Sequence, residues 1–310
     1  MSRVAAPGTA APTPLGRRRL LQCALGLSAF ALVPARRAHA LGVTYTTPME
    51  ATFQALLSRP AITITLGRLG GESPALFDAH KRLAAMPAAG RLAARRAFLL
   101  AGLREAGLAE ARVDTAGNVI AERPGSKRAP RLLIAARLDA PEQGRGLLVL
   151  LTTLRHLQAQ QLGTIGDLVV VGLDDTAGER GPAAALDAAR ADGLLLFDGT
   201  AGAGGTLLAP AVPGDEPPLF AVTRRAAQLL AAPTPAIATQ AVAVHARRQG
   251  IPAVLLGDGV TGAPAPDQVY QPAGEWRGPQ MMLLCALALA GAAGVSDPLL
   301  ATAAASAPSP

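Results

Sequence analysis

Val169-Val170-Val171-Gly172-Leu173-Asp174-Asp175 decides the fold: a short apolar run closed by two carboxylates. Two further stretches have the same form. Leu132-Leu133-Ile134-Ala135-Ala136-Arg137-Leu138-Asp139 precedes it, and Leu194-Leu195-Leu196-Phe197-Asp198-Gly199 follows it. Apolar runs of this length without polar alternation read as strands buried on both faces, which is the habit of a parallel sheet. Helical stretches separate them, one over residues 147–162 after Gly144-Arg145-Gly146 and a short one over 182–190. The alternation predicts an α/β fold, a three-layer α/β/α sandwich around a mostly parallel sheet. Acids at strand ends are how open α/β sheets build their sites.

Outward from this centre, Asp114-Thr115-Ala116-Gly117-Asn118 reads as a tight turn between two short strands, 111–113 and 119–123. Helices precede it. One starts at Ser73-Pro74, with Leu76, Phe77, His80, Leu83 and Ala84 on one face, and a stronger one carries Phe98, Leu99 and Leu103 and stops at Gly107. Residues 41–72 give no clear reading, because Thr and Ile alternate over 61–66 and glycines follow. Downstream, 200–235 is rich in Gly and Pro around a helical piece at 223–230. A last unit is expected as helix 236–249, strand 252–256, a Gly/Pro loop to Pro272 and helix 278–290 stopped by Gly291. The tail 292–310 is small and proline-ended and reads as disordered.

The amino terminus reads as an export signal. Arg17-Arg18-Arg19-Leu20-Leu21-Gln22 approaches the twin-arginine pattern, an apolar stretch runs to Val33, and Ala38-His39-Ala40 offers a cleavage site. That stretch is shorter than the ~20 residues a bilayer needs. The reading predicts residues 1–40 as signal peptide, 41–291 as one domain, a periplasmic or secreted location, and no membrane attachment after cleavage. Whole-chain net charge is +7, but residues 1–40 hold six arginines and no acid, so the remainder carries 23 bases against 22 acids, a net of +1. With aromatics at 3%, nothing points to nucleic acid. Cys285 alone survives processing, so no intrachain disulfide is expected.

The turn phrase, Gly250-Ile251-Pro252-Ala253-Val254-x-Leu256-Gly257 and Tyr270-x-Pro272 together resemble the M20 family of zinc-dependent exopeptidases and deacylases over residues 92–290. The resemblance implies a zinc-exopeptidase-like fold and a site in which two metals and a general base make hydroxide near neutral pH. Carried over residue by residue, the match is damaged. Arg137 stands where the family has its first metal-binding histidine, before the orienting Asp139. Gln143 stands at the bridging carboxylate, Asp174-Asp175 at the Glu-Glu pair of base and ligand, Asp198 at the second-metal aspartate, and Pro264 at the last histidine. The remaining histidines, His80, His156 and His245, fall within helices rather than at strand ends. Residues 200–235 are too short for the family's inserted lid domain, which leaves a monomer as the default.

Three readings follow. The leading one is an exported M20-like pseudoenzyme that has lost two-zinc hydrolysis, with no resident cofactor expected and a remnant cleft for a peptide or small amide. The second is an active metal-dependent peptidase or amidohydrolase in which Asp174, Asp175 and Asp198 hold a hard divalent ion such as magnesium, calcium or manganese, rather than zinc. The third is a non-catalytic binding or assembly protein. Under the first, Arg137 is expected to stand in for the lost metals among Asp139, Asp174, Asp175 and Asp198; the alternative is an Arg137 that points to solvent.

Overall fold

The structure is a computed structural model that describes residues 47–138, 144–174, 176, 180–198, 218–230, 245–246, 248–257 and 277–300. All belong to one compact unit that begins at Thr46. The described elements run in the order α1 (Pro48–Leu57), α2 (Pro60–Gly71), α3 (Ser73–Ala84), α4 (Arg91–Glu105), β1 (Arg112–Val113), β2 (Val119–Arg123), β3 (Arg131–Arg137), α5 (Arg145–Ala159) and β4 (Asp167–Leu173). They continue with α6 (Arg180–Ala189), β5 (Gly193–Asp198), α7 (Pro218–Leu229), β6 (Ala253–Gly257) and α8 (Gly278–Ala290).

The strands form one six-stranded sheet in the order β1-β2-β4-β3-β5-β6. β3, β4, β5 and β6 are mutually parallel, and the β1–β2 hairpin joins antiparallel to β4. From β3 the chain steps to β4 through α5, then back across β3 to β5 through α6. Right-handed crossovers taken in opposite directions place these helices on opposite faces. The side chains confirm it. Leu132, Ile134 and Ala136 of β3 join the core that holds α5, α7 and α8, while Leu133 and Ala135 join the core that holds Ala185 and Leu186 of α6. Every residue of β4 is buried, as its unbroken apolar text requires.

α8 is apolar all round, and all of it except Gln280 is buried, packed against α5 and α7 beneath the sheet. Two segments differ from the sequence reading. Residues 48–71, unreadable from the text, are two helices. Ile62, Leu66 and Leu69 fall on a helical face and are buried, and the Thr65 hydroxyl donates back to the Ala61 carbonyl at 2.6 Å. The tail expected to be disordered is packed as far as Leu300. Leu299 and Leu300 are buried in the core, and Ala292 bridges to Thr164. The signal segment 1–40, most of the expected helix 236–249 and the loop to Pro272 lie outside the described residues.

Candidate functional site at the carboxyl edge of the sheet

The chain leaves β3 toward α5 on one face and β4 toward α6 on the other, so the carboxyl ends of these two neighbours are the topological switch of the sheet. In open α/β sheets that is where ligands bind. Arg137 and Leu173 pair across it, and the Leu138 N–H donates to the Leu173 carbonyl at 2.8 Å. Beyond the Ala136–Phe197 pair, Arg137 and Asp198 follow in register on the other side of β3. The strand ends predicted to share one edge therefore do share it. Arg137 is half-buried, and Asp174, next after β4, is 4% exposed. Asp139, Gln143, Asp175 and Pro264 lie outside the described residues, as does the side chain of Asp198.

Asp174 is fully engaged by protein groups. One carboxylate oxygen, Oδ2, accepts from Nη2 of Arg96 at 2.6 Å. The other, Oδ1, accepts from the Thr176 N–H at 3.0 Å and the Thr176 hydroxyl at 2.5 Å. Arg96 comes from α4 and is oriented a second time, because its Nε donates to the Gly117 carbonyl at 2.9 Å. Among the described residues the cation on Asp174 is Arg96, which the strand-end reading did not include; the expected place of Arg137 among Asp139, Asp175 and Asp198 falls on acids outside the described side chains.

The turn 114–118 builds this corner. Asp114 accepts from the Ala116 and Asn118 N–H groups at 2.9 and 2.8 Å and from the Asn118 side-chain amide at 2.8 Å. Asn118, with no exposed surface, also donates to the Gly181 carbonyl at 2.9 Å and accepts from the Asp174 N–H at 2.9 Å. One side chain thus joins the hairpin, the end of β4 and the start of α6. Gly117 is required twice. Its φ of +92° suits glycine, and a Cβ there would stand 2.6 Å from Asp174 Oδ2. The sequence reading gave the turn no role beyond its backbone; the structure gives it the carboxylate.

Two more arginines are buried on the helices beside this edge. Arg95 is 1% exposed and donates from Nη1 to the Leu138 carbonyl at 2.9 Å, directly under the segment that leads to Asp139. Arg145, the first residue of α5, is buried as well. The sequence reading assigned Arg95 and Arg96 no role, because nothing local in α4 marks an arginine for burial.

The histidines lie elsewhere. His80 is buried on α3, His156 Nε2 meets Glu72 Oε1 at 2.8 Å, and His245 Nε2 lies 3.3 Å from the Gln249 amide. Among the described residues no three His, Cys, Asp or Glu side chains are grouped to hold a metal. A divalent ion on Asp174 would have to displace Arg96 and Thr176. Among the described residues, then, Asp174 offers zinc no unengaged carboxylate oxygen.

No family model matches the sequence, and no curated protein matches it either. Solved structures do match. A hydantoinase/carbamoylase family amidase from Burkholderia ambifaria aligns with a TM-score of 0.51 at 17% identity, over 72% of this chain and 98% of that one. A glutaminyl cyclase from Tannerella forsythia aligns with a TM-score of 0.52 at 13% identity, over 70% and 97%. A zinc aminopeptidase from Bacillus subtilis gives 0.44 at 14% identity, over 55% of this chain and 49% of its own, so the chain spans about half the length of that protein. At these identities the likeness is one of fold. The fold is the zinc-exopeptidase-like α/β fold. Among the described residues no helix is long and apolar enough to cross a membrane.

Proposed function

We propose that this chain is an exported, M20-like member of the zinc-exopeptidase-like fold that no longer performs two-metal hydrolysis. One observation carries the reading: Asp174, at the position of the family's Glu-Glu pair, is closed off by Arg96 at 2.6 Å and by Thr176. A carboxylate so held is neither an available ligand nor an available base. The replacement of both histidine positions by Arg137 and Pro264 supports the same conclusion, since imidazole is the usual nitrogen donor of such centres. What remains is a scaffold whose β3–β4 carboxyl edge, the usual ligand position of an open α/β sheet, would hold a peptide or small amide without cleaving it. The carboxylate-only alternative needs Asp174, Asp175 and Asp198 together, and Asp174 is already taken.

Export rests on the twin-arginine text and the cleavage-like Ala38-His39-Ala40. Replacing Arg17, Arg18 and Arg19 by lysine is expected to leave unprocessed protein in the cytoplasm; continued export of the variant would contradict this route. For the site, elemental analysis of protein purified from the periplasm without chelators is expected to find far less than one zinc per chain. Two zinc ions per chain, with hydrolysis of an N-acyl amino acid or dipeptide abolished by chelation, would overturn the reading.

A further inference from the structure

We infer that Arg96 is the built-in counter-cation of the strand edge, so that the carboxylate at the end of β4 is stabilised by a guanidinium from α4 with no need of a metal ion. The inference rests on the reading above that the edge is metal-free, and goes beyond it by naming the residue that keeps it so. Three observations carry it. Asp174 is nearly without solvent, so it requires a partner in any folded state in which it is ionised. Arg96 supplies a charge-assisted bond at 2.6 Å with 26% of its own side chain exposed, so the carboxylate is the more buried half of the pair. Arg96 Nε also donates to the Gly117 carbonyl at 2.9 Å, which orients the guanidinium fork toward the carboxylate.

The arrangement is also a tie. Arg96, the 114–118 turn, the end of β4 and the first turn of α6 meet through Asn118 and Asp174. A bound metal ion in such a fold would join strand ends through shared ligands; here a helix residue does so, from 78 positions earlier in the chain.

The test is a double-mutant cycle on the full processed chain, read by thermal denaturation. Arg96→Met keeps the apolar stem and removes the charge, and is expected to lower the Tm by about 5 °C. Added to Asp174→Asn, the same substitution is expected to cost less than half as much, because no charge is then stranded. Arg96→Lys is expected to fall between parent and Arg96→Met. Should Arg96→Met not fold at all, recovery of folding in Arg96→Met/Asp174→Asn supports the inference, and continued failure overturns it. It is also overturned if Arg96→Met melts with the parent, or costs the same with and without Asp174→Asn. Those outcomes leave the metal-free reading standing when the parent carries no zinc; a parent that carries zinc sinks that reading instead.

Discussion

Asp167 opens β4 and Asp174 follows its last residue, so one strand carries a buried carboxylate at each edge of the sheet. At the amino edge, Asp167 accepts from the Gly125 N–H at 2.8 Å, from Arg131 at 3.1 Å and from Arg128 at 3.2 Å. At the carboxyl edge, Asp174 accepts from Arg96 and Thr176. In open α/β sheets these edges ordinarily differ, since the carboxyl edge carries the site and the amino edge is structural. Here the carboxyl edge is built like the amino edge, with carboxylate and guanidinium locked together. What separates them is the origin of the cation. Arg128 and Arg131 adjoin the strand that pairs with β4, whereas Arg96 comes from a helix laid down before the hairpin.

The comparison can be broken at either edge, and the amino edge should yield most. Arg131 also bonds Glu122 at 3.3 Å and the Ala189 carbonyl at 2.9 Å. Arg131→Ala leaves Asp167 with Arg128, whose side chain is 64% exposed, and is expected to cost about 3 kcal/mol by urea denaturation. Arg96→Met should cost less, about 2 kcal/mol, because Arg96 is partly solvated and Thr176 remains on Asp174. If Arg96→Met proves the costlier, the carboxyl edge is the more dependent on its cation. Gly117→Ala is expected to cost about 1–2 kcal/mol, through its positive φ and the approach of the new methyl to Asp174 and Arg96. If it is silent, the turn does not position the pair.

At neutral pH the smallest effect is expected at Cys285, away from both edges. Burial pushes its thiol up to about 12, with a hydrogen bond to Thr223 acting weakly in the opposite direction. The folded chain holds the proton that the unfolded chain releases, so this stabilisation is complete below about pH 9 and is lost between pH 9 and 12. Stability is expected to decline through that window, and Cys285→Ala to flatten the decline. A decline equally steep in Cys285→Ala would assign it to other groups.

Much of the fold was legible because its cues are local. The apolar runs of β3, β4 and β5, the 114–118 turn and helix α8 follow from composition and period alone. Residues 48–71 were not legible: the Thr/Ile alternation imitates a strand, and only the packing of Ile62, Leu66 and Leu69 shows the helical period. The site was half legible. Text placed Arg137, Asp174 and Asp198 at one edge, and the sheet register agrees. It could not place Arg95 and Arg96, because an arginine in an alanine-rich helix reads as surface until the hairpin turn folds over it. Long-range charge pairs leave no mark in local sequence.

The central claim, that guanidinium groups have replaced metal at the carboxyl edge, is tested most directly by melting the processed protein in excess EDTA and again in excess zinc. A site filled at one hundred times its dissociation constant adds about 2.7 kcal/mol, a shift of several degrees. The account predicts the same Tm in both solutions; a Tm that rises with zinc and falls with chelator would contradict it.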